Sequence, residues 1–298
     1  MNIGSLITRH ALYRSEHDAF VIGKQRLNFR ELNSRVNLAA NALLSAGLRK
    51  GEKMATVLPN CEELMLLYWA AAKTGIVIVP SSPLLQAHGL ASLLKDSDSV
   101  IVFADVSFKS MIKKMQENLP EIKKERWILV GGNEDNYGFT KWTDFISGLS
   151  DEEPPDANLV DDDVYNIMYS SGTTGAPKGI VHTHYVRANY CTQFASAWRM
   201  TPESVVLHAG AIVFNGAMLD LMPWMYLGAT YILHKTFNPA EVLKTIDKEK
   251  VTHMVMVPSQ IVALLNHPDF DPKKLGSLEM LQSVGAPLLM EYKEKLNK

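Results

Sequence analysis

Four short apolar runs, separated by helix-like stretches, constrain this chain more than any other feature. Met54–Leu58, Ile76–Val79, Val100–Ala104 and Trp127–Val130 are apolar at almost every position. A strand with one wet face alternates with a period of two. A run without alternation is covered on both faces. The stretches between them have a different period. After Asn28, with Glu31 three residues on in capping-box position, Leu32, Val36, Ala39, Ala40 and Leu43 make one helical stripe, which Gly47 ends. Helices are also expected at 62–74 and 107–118. Strands covered on both faces and separated by helices build a mostly parallel sheet in an α/β fold.

The stretch Asp151–Asp163 is acidic and carries Pro154-Pro155. It reads as a solvated linker. A second block follows, with strands expected at Tyr165–Tyr169, Ile180–Thr183, Val205–His208, Thr230–Leu233, Val251–Val257 and Glu279–Val284. Helices are expected at Tyr185–Trp198, Pro239–Lys248 and Ser259–Asn266. The organisation predicted is therefore two α/β parts, residues 1–160 and 161–298. At the N-terminus, Ile3, Leu6, Ile7 and Leu12 have the rough spacing of a short docking helix, and no apolar stretch is long enough for a signal peptide.

Composition excludes several classes. Thirty basic and 32 acidic side chains leave a formal charge of −2, unlike the basic footprint of a nucleic-acid binder. The most apolar stretch, Leu64–Ala72, is too short to span a bilayer. Two cysteines, Cys61 and Cys191, offer neither a disulfide framework nor zinc spacing, so a reducing cytoplasm is expected. His182 and His184 would share a strand face, but no third metal ligand stands near them, and no metal site is expected. His208 reads as the end of a strand, and His253 as a satisfied core or edge residue.

The chemistry is concentrated in Ser170-Ser171-Gly172-Thr173-Thr174-Gly175-Ala176-Pro177-Lys178-Gly179. Glycines let a backbone approach a ligand closely. Four hydroxyls offer donors, and free N–H groups in a Gly-rich turn form an anion-binding nest. Lys178 adds a point charge suited to phosphate. The run holds no carboxylate to repel an anion. It is not a Walker loop, because Pro177 precedes the lysine, Gly179 follows it, and the next residues are strand-like. The loop is expected to join two strands and to hold a polyphosphate.

The run Tyr169–Gly179 resembles the signature loop of the adenylate-forming superfamily, which includes acyl-CoA synthetases, aryl-CoA ligases and peptide-synthetase adenylation domains. Leu27–Leu32, Ala72-Lys73-Thr74-Gly75 with Val79-Pro80, Asp163, and Ser283–Leu288 resemble further segments of that family in the same order. The resemblance implies the large N-terminal domain of that fold, two packed, mostly parallel sheets flanked by helices. It implies that a carboxylate attacks the α-phosphate of ATP, pyrophosphate leaves, and a thiol such as that of CoA takes the acyl group. In that picture Ser170, Ser171, Gly172, Thr173, Thr174, Gly175 and Lys178 hold the ATP phosphates. Gly285, Ala286 and Pro287 pack beside the adenine, and Val213, Phe214, Asn215 and Gly216 line the acid pocket. ATP, Mg²⁺ and CoA are the implied cofactors and co-substrates.

Asn215 departs from the family pattern. Acyl- and aryl-CoA ligases often carry Phe-His there, and amino-acid-activating domains Phe-Asp. An ammonium buried without that carboxylate is costly, so an amino acid is disfavoured. Ala211, Ile212, Phe214, Met218, Leu219 and Met222 suit an apolar acyl or aryl group, and equally a plain core. The expected substrate is a medium- or long-chain fatty acid. The alternatives are an aryl acid, a carrier-protein-loading domain, or a non-catalytic nucleotide- or acyl-binding module. A homodimer is an open partner reading. The family's glutamate loop, hinge and lid lysine are not found before Lys298, so the expectation is a truncated chain, lid absent, that is inactive alone.

Overall fold

The computed structural model describes residues 2–132, 138–170 and 178–296. In chain order the elements begin with α1 (Ser5–Tyr13), β1 (Asp18–Ile22), β2 (Gln25–Asn28), α2 (Phe29–Ser45), β3 (Lys53–Val57) and α3 (Glu62–Thr74). Then come β4 (Val77–Pro80), α4 (Ala87–Asp96), β5 (Ser99–Asp105), α5 (Lys109–Glu117), β6 (Trp127–Val130), β7 (Thr140–Lys141) and α6 (Trp142–Phe145). Next are β8 (Val164–Ser170), β9 (Lys178–Thr183), α7 (His184–Ala197), β10 (Val205–His208), α8 (Met218–Leu227) and β11 (Thr230–Leu233). The last are α9 (Pro239–Glu249), β12 (His253–Met256), α10 (Pro258–Leu265), β13 (Met280–Ser283) and α11 (Met290–Leu296).

Contacts divide the chain into two units: Met1–Arg9 with Glu31–Ala188, and His10–Arg30 with Asn189–Lys298. The expected division at residue 160 falls inside the first of these. Two hairpins explain the difference. The β8–β9 hairpin joins the first unit's sheet because β8 pairs in parallel with β4 at Ile78 and Asn166. The β1–β2 hairpin joins the second unit's sheet because β1 pairs in parallel with β11. Its two-residue loop, Gly23-Lys24, places Gly23 at φ +60, as a tight hairpin turn requires.

The first unit is built on a seven-stranded sheet in the order β7-β6-β5-β3-β4-β8-β9, parallel except for β8–β9. On one side, Leu90, Leu93 and Leu94 of α4 and Ile112 and Met115 of α5 pack with Ala55, Val79, Val102 and Leu129. Between Glu63 and Lys73 helix α3 is apolar all round, and Leu64 to Thr74 are buried without exception. A helix of that composition is stable only when enclosed. Gly75 ends it in the left-handed conformation, φ 71, and donates its N–H to the Ala71 carbonyl.

The acidic stretch is not a free linker. Helix α2 carries Asn33, Asn37 and Asn41 at steps of four, which places them on one face. Asn41 donates to the carbonyls of Ser150 and Glu152 at 2.8 and 2.9 Å, and Asn37 to that of Asp151 at 3.0 Å. Asn33 donates to the Glu153 carboxylate at 2.7 Å. The ammonium of buried Lys73 closes the seam, reaching Glu153 at 2.6 Å, Asn37 at 2.6 Å, Asn33 at 2.8 Å and Thr8 at 2.9 Å.

The second unit is built on a six-stranded sheet in the order β13-β12-β10-β11-β1-β2, parallel except for β1–β2. Val242, Leu243 and Ile246 of α9 and Ile261 and Leu264 of α10 pack on Leu207, Ile232, Met254 and Met256. Asn238 caps α9 by accepting from the Glu241 N–H, with Pro239 in the first turn. In parallel sheets the connections leaving the carboxyl ends of the strands are where ligands are bound. Here those connections begin after His208, Leu233, Met256 and Ser283.

Candidate functional site

In the first unit the candidate residues stand at the mouth of the β8–β9 hairpin. Ser170 and Lys178 are paired across the two strands, and both are exposed. The expectation that the Gly- and Thr-rich run joins two strands therefore matches its two flanks. Ser171, Gly172, Thr173, Thr174 and Gly175 lie outside the described residues. Next along the ladder Tyr169 faces Gly179. A side chain at 179 would stand 3.0 Å from Ile167 Cγ2 and 3.1 Å from Tyr169 Cζ, so glycine leaves room for the tyrosine ring across β9. The Tyr169 hydroxyl donates to Asp96 at 2.5 Å. Burial, then the adjacent Asp96 carboxylate, pushes this phenol well above its ordinary value.

The root of the hairpin is polar and enclosed. Arg187 and Asn166 are both 0 % exposed, and the guanidinium donates through Nε to Asn166 Oδ1 at 2.9 Å. Asp163 is fixed by Lys50 at 2.6 Å and by the Val160 N–H at 2.7 Å, and its carbonyl accepts from the His184 N–H. It anchors the strand that leads to the loop. His182 and His184 are buried, and burial pushes each imidazole down to about 4.

In the second unit three connections meet at the carboxyl edge of the sheet. Val284 donates its N–H to the Met256 carbonyl at 3.0 Å, which carries the β12–β13 pairing one residue past the strand end. Gly285 then turns with φ +85, a conformation that favours glycine. A side chain there would lie 3.6 Å from Val257 Cγ1. Gly285, Ala286 and Pro287 are exposed, and buried Leu288 anchors them. The segment 213–216 reaches the same place, because a side chain at Gly216 would stand 3.4 Å from Val284 Cγ2. The structure thus brings together the segments expected beside the adenine and the acid.

Within the second segment the residues divide. Val213 is buried, Phe214 is half exposed, and Asn215 begins a single helical turn that runs to Ala217. Ile212, Met218 and Met222 are 0 % exposed and belong to the core. His208 ends β10 as expected, and it is buried. Its Nδ1 lies 2.8 Å from Asp220 Oδ2, and the Tyr231 hydroxyl donates to Asp220 Oδ1 at 3.0 Å. Sequence reasoning missed this network. The signal was a single carboxylate in the otherwise apolar run Met218–Leu227. His253 is enclosed, with contacts at 2.8 Å to Thr252 Oγ1 and 2.9 Å to the Trp198 carbonyl.

No helix among the described residues is long and apolar enough to cross a membrane. Among the same residues no three His, Cys, Asp or Glu side chains are grouped to hold a metal ion.

A sequence profile described as "AMP-binding enzyme" matches residues 7–298. A putative acyl-CoA synthetase of Bacillus subtilis, YngI, is 30% identical over 96% of this chain and 56% of its own length. A feruloyl-CoA synthase of an Amycolatopsis species is 30% identical over 96% of this chain and 55% of its own. The chain therefore spans about half the length of these curated relatives. The crystal structure of the anthranilate CoA ligase AuaEII with anthranoyl-AMP superposes with a TM-score of 0.91 at 23% identity, over 99% of this chain and 57% of that one. That likeness establishes the fold.

Proposed function

We propose that this chain, which belongs to the AMP-binding enzyme family, supplies the nucleotide- and acid-binding part of an acid–thiol ligase. In the first half-reaction a carboxylate oxygen bonds to the α-phosphorus of ATP, and the bond to the pyrophosphate oxygen breaks. In the second a thiolate, that of CoA, bonds to the acyl carbon, and AMP leaves with the carboxylate oxygen. Both steps are chiefly positioning and stabilisation of phosphate charge.

The observation that carries the reading is the pairing of Ser170 with Lys178 at the mouth of an antiparallel hairpin. It fixes a hydroxyl and an ammonium at the two ends of a run that is otherwise glycine, hydroxyls, alanine and proline. Ser170, Ser171, Gly172, Thr173, Thr174, Gly175 and Lys178 are assigned to the ATP phosphates, with Mg²⁺ arriving on the nucleotide. Gly285, Ala286 and Pro287 are assigned to the adenine, where bare backbone admits a flat base. Val213, Phe214, Asn215 and Gly216 are assigned to the acid. Half-exposed Phe214 beside core residues Ile212 and Met218 favours an apolar acid, a medium- or long-chain fatty acid in first place. The likeness to a feruloyl-CoA synthase supports an aryl acid as the second reading. Cys61 and Cys191 are free thiols, which suits a cytoplasmic setting.

Isothermal titration of this chain with Mg·ATP tests the assignment. Lys178→Ala is expected to weaken binding about tenfold or more, the scale of one charged phosphate contact. Equal affinity in the variant would remove the phosphate assignment.

A further inference from the structure

The cations on and around α9 fall into two sets. Arg26 reaches Asp18 at 2.8 Å and Glu249 at 2.7 Å, Lys248 reaches Glu249 at 2.7 Å, and Lys250 reaches Asp247 at 3.1 Å. Lys24, Lys235 and Lys244 differ from these. Among the described residues none of their three ammonium groups has an ion pair, a hydrogen bond or a ring contact. They come from three places in the chain: the β1–β2 turn, the connection after β11, and the middle of α9. All three line one cavity of about 610 Å³ in the second unit. Strand pairing brings them there. β1 and β11 run parallel with Ile22 opposite Leu233, so the residues that leave both strands emerge side by side. That is the carboxyl edge of a parallel pair, where α/β sheets hold ligands.

The lining is rich in donors and in positive charge. Counting Lys248, four lysines line the cavity against two carboxylates, Glu241 and Glu249. Glu249 is already held by Arg26 and Lys248. The Thr236 hydroxyl and Asn238 Nδ2 also line it and have no hydrogen-bond partner among the described residues, while Asn238 Oδ1 is taken by the cap of α9. Three unmatched ammonium groups around one cleft repel each other and concentrate anions. An ammonium is a point charge suited to phosphate, and neutral donors suit the remaining oxygens. A carboxylate offers two oxygens and one charge. A phosphate monoester offers three terminal oxygens and close to two charges, which matches this set better. The volume exceeds a bare phosphate and leaves room for a small polar body. No Phe, Tyr or Trp lines it, so a nucleotide base would have no such ring to stack on.

We propose that this cavity binds the phosphate monoester of a small polar alcohol, either free or as the headgroup of a lipid, through Lys24, Lys235 and Lys244. None of its lining residues is among those assigned above to ATP or to the acid, so it is a second anion site on the chain.

Two probes test it. One is isothermal titration of this chain with glycerol 3-phosphate, with glycerol as the uncharged control. The other is co-sedimentation with phosphatidylcholine vesicles prepared with or without phosphatidate. The charged probe is expected to bind in at least one of the two experiments, and the control in neither. Binding of the free ester alone supports the site and names a soluble ligand. Binding of the phosphatidate vesicles alone supports it and names a lipid surface. Lys24→Gln, Lys235→Gln and Lys244→Gln together should weaken the binding about tenfold or more. Tm should not change, because all three side chains are exposed. The exposed Lys95, Lys114 and Lys123 lie in the first unit, and changing each of them to Gln alters the net charge equally. That variant should bind as the unaltered chain does. Lys178→Ala should also leave the binding intact, which separates this cavity from the loop between β8 and β9. Failure of both charged probes, equal binding of the controls, or an equal loss in the Lys95, Lys114 and Lys123 variant would overturn the inference. Loss in Lys178→Ala would overturn it as well, and would assign the anion to that loop.

Discussion

Each unit buries a side chain that would normally stay in water, and the two are treated in opposite ways. In the first, Lys73 is surrounded by Thr8, Asn33, Asn37 and Glu153, four acceptors for one ammonium. Burial pushes its value down, and Glu153 only partly offsets this. Burial would raise Glu153, but bonds from Asn33, Lys73 and Asn37 outweigh it and hold the carboxyl below its ordinary range. Every partner there belongs to the chain, and the group it ties down is the backbone of 150–153. In the second unit Asp220 is equally enclosed, and its partners are two ring side chains, His208 and Tyr231. A buried charge whose bonds all close inward acts as a clamp. Asp220 instead joins side chains of the neighbouring strands β10 and β11 to α8.

Lys73→Met tests the clamp and is one of two variants with the largest expected effect. It leaves Glu153 without its cation and two amide oxygens without their donor, in a part-buried seam. A loss of about 3 kcal/mol is expected, the low end of the scale for breaking a buried pair, because the Glu153 side chain left behind is 44% exposed while the two amide oxygens are enclosed. The urea midpoint should fall with an unchanged slope. A loss below about 1 kcal/mol would mean that the seam is solvated and that the contrast with the second unit fails. Asp220→Ala is the other, also at about 3 kcal/mol, because it strands the His208 N–H and the Tyr231 hydroxyl in an enclosed space. Replacing all three members together, with Asp220→Leu, His208→Phe and Tyr231→Phe, should recover much of that loss, since no polar group is then left unpaired. If the triple change is as destabilising as the single one, the three side chains matter through their packing rather than through their polar bonds.

The parts of this fold legible in the sequence were those set by local pattern. Trp127–Val130, Val205–His208 and Thr230–Leu233 are strands at the expected bounds, because a run apolar on both faces has few other ways to be covered. That the glycine- and hydroxyl-rich run joins two strands was also readable, since the residues after Lys178 are strand-like rather than helical. What depended on distant partners was not. The β1–β2 hairpin lacks long apolar runs and is completed only by pairing with β11. Helix α8 was hidden by Pro223, which sits inside it and reads as a breaker. The acidic stretch looked solvated because its bonds go to Asn33, Asn37 and Asn41, more than a hundred residues earlier. Their spacing of four was visible in the sequence, but nothing local said which backbone they would meet. The same holds for His208, whose carboxylate partner lies twelve residues away on another element.

The histidines sharpen the comparison with the smallest expected effect. His208 has a carboxylate at Nδ1. In the first unit, neither ring nitrogen of His184, nor Nδ1 of His182, has a hydrogen-bond partner among the described residues. His184 meets the edge of the Tyr165 ring instead, with centroids 5.6 Å apart. Desolvation therefore dominates, and both imidazoles are pushed down to about 4, with Arg187 adding to the effect at His182. In the unfolded chain a histidine titrates near ~6.5. Between those values the unfolded state binds more protons, so stability falls as pH is lowered through that window and levels off below about 4. The loss should be about 2 kcal/mol. Carboxylates also titrate in acid, so the assignment needs a direct reading of each ring. Proton NMR should show the His182 and His184 ring signals still in the neutral position at pH 5. Signals that move near pH 6.5 would mean that water reaches this cluster and that desolvation does not govern it.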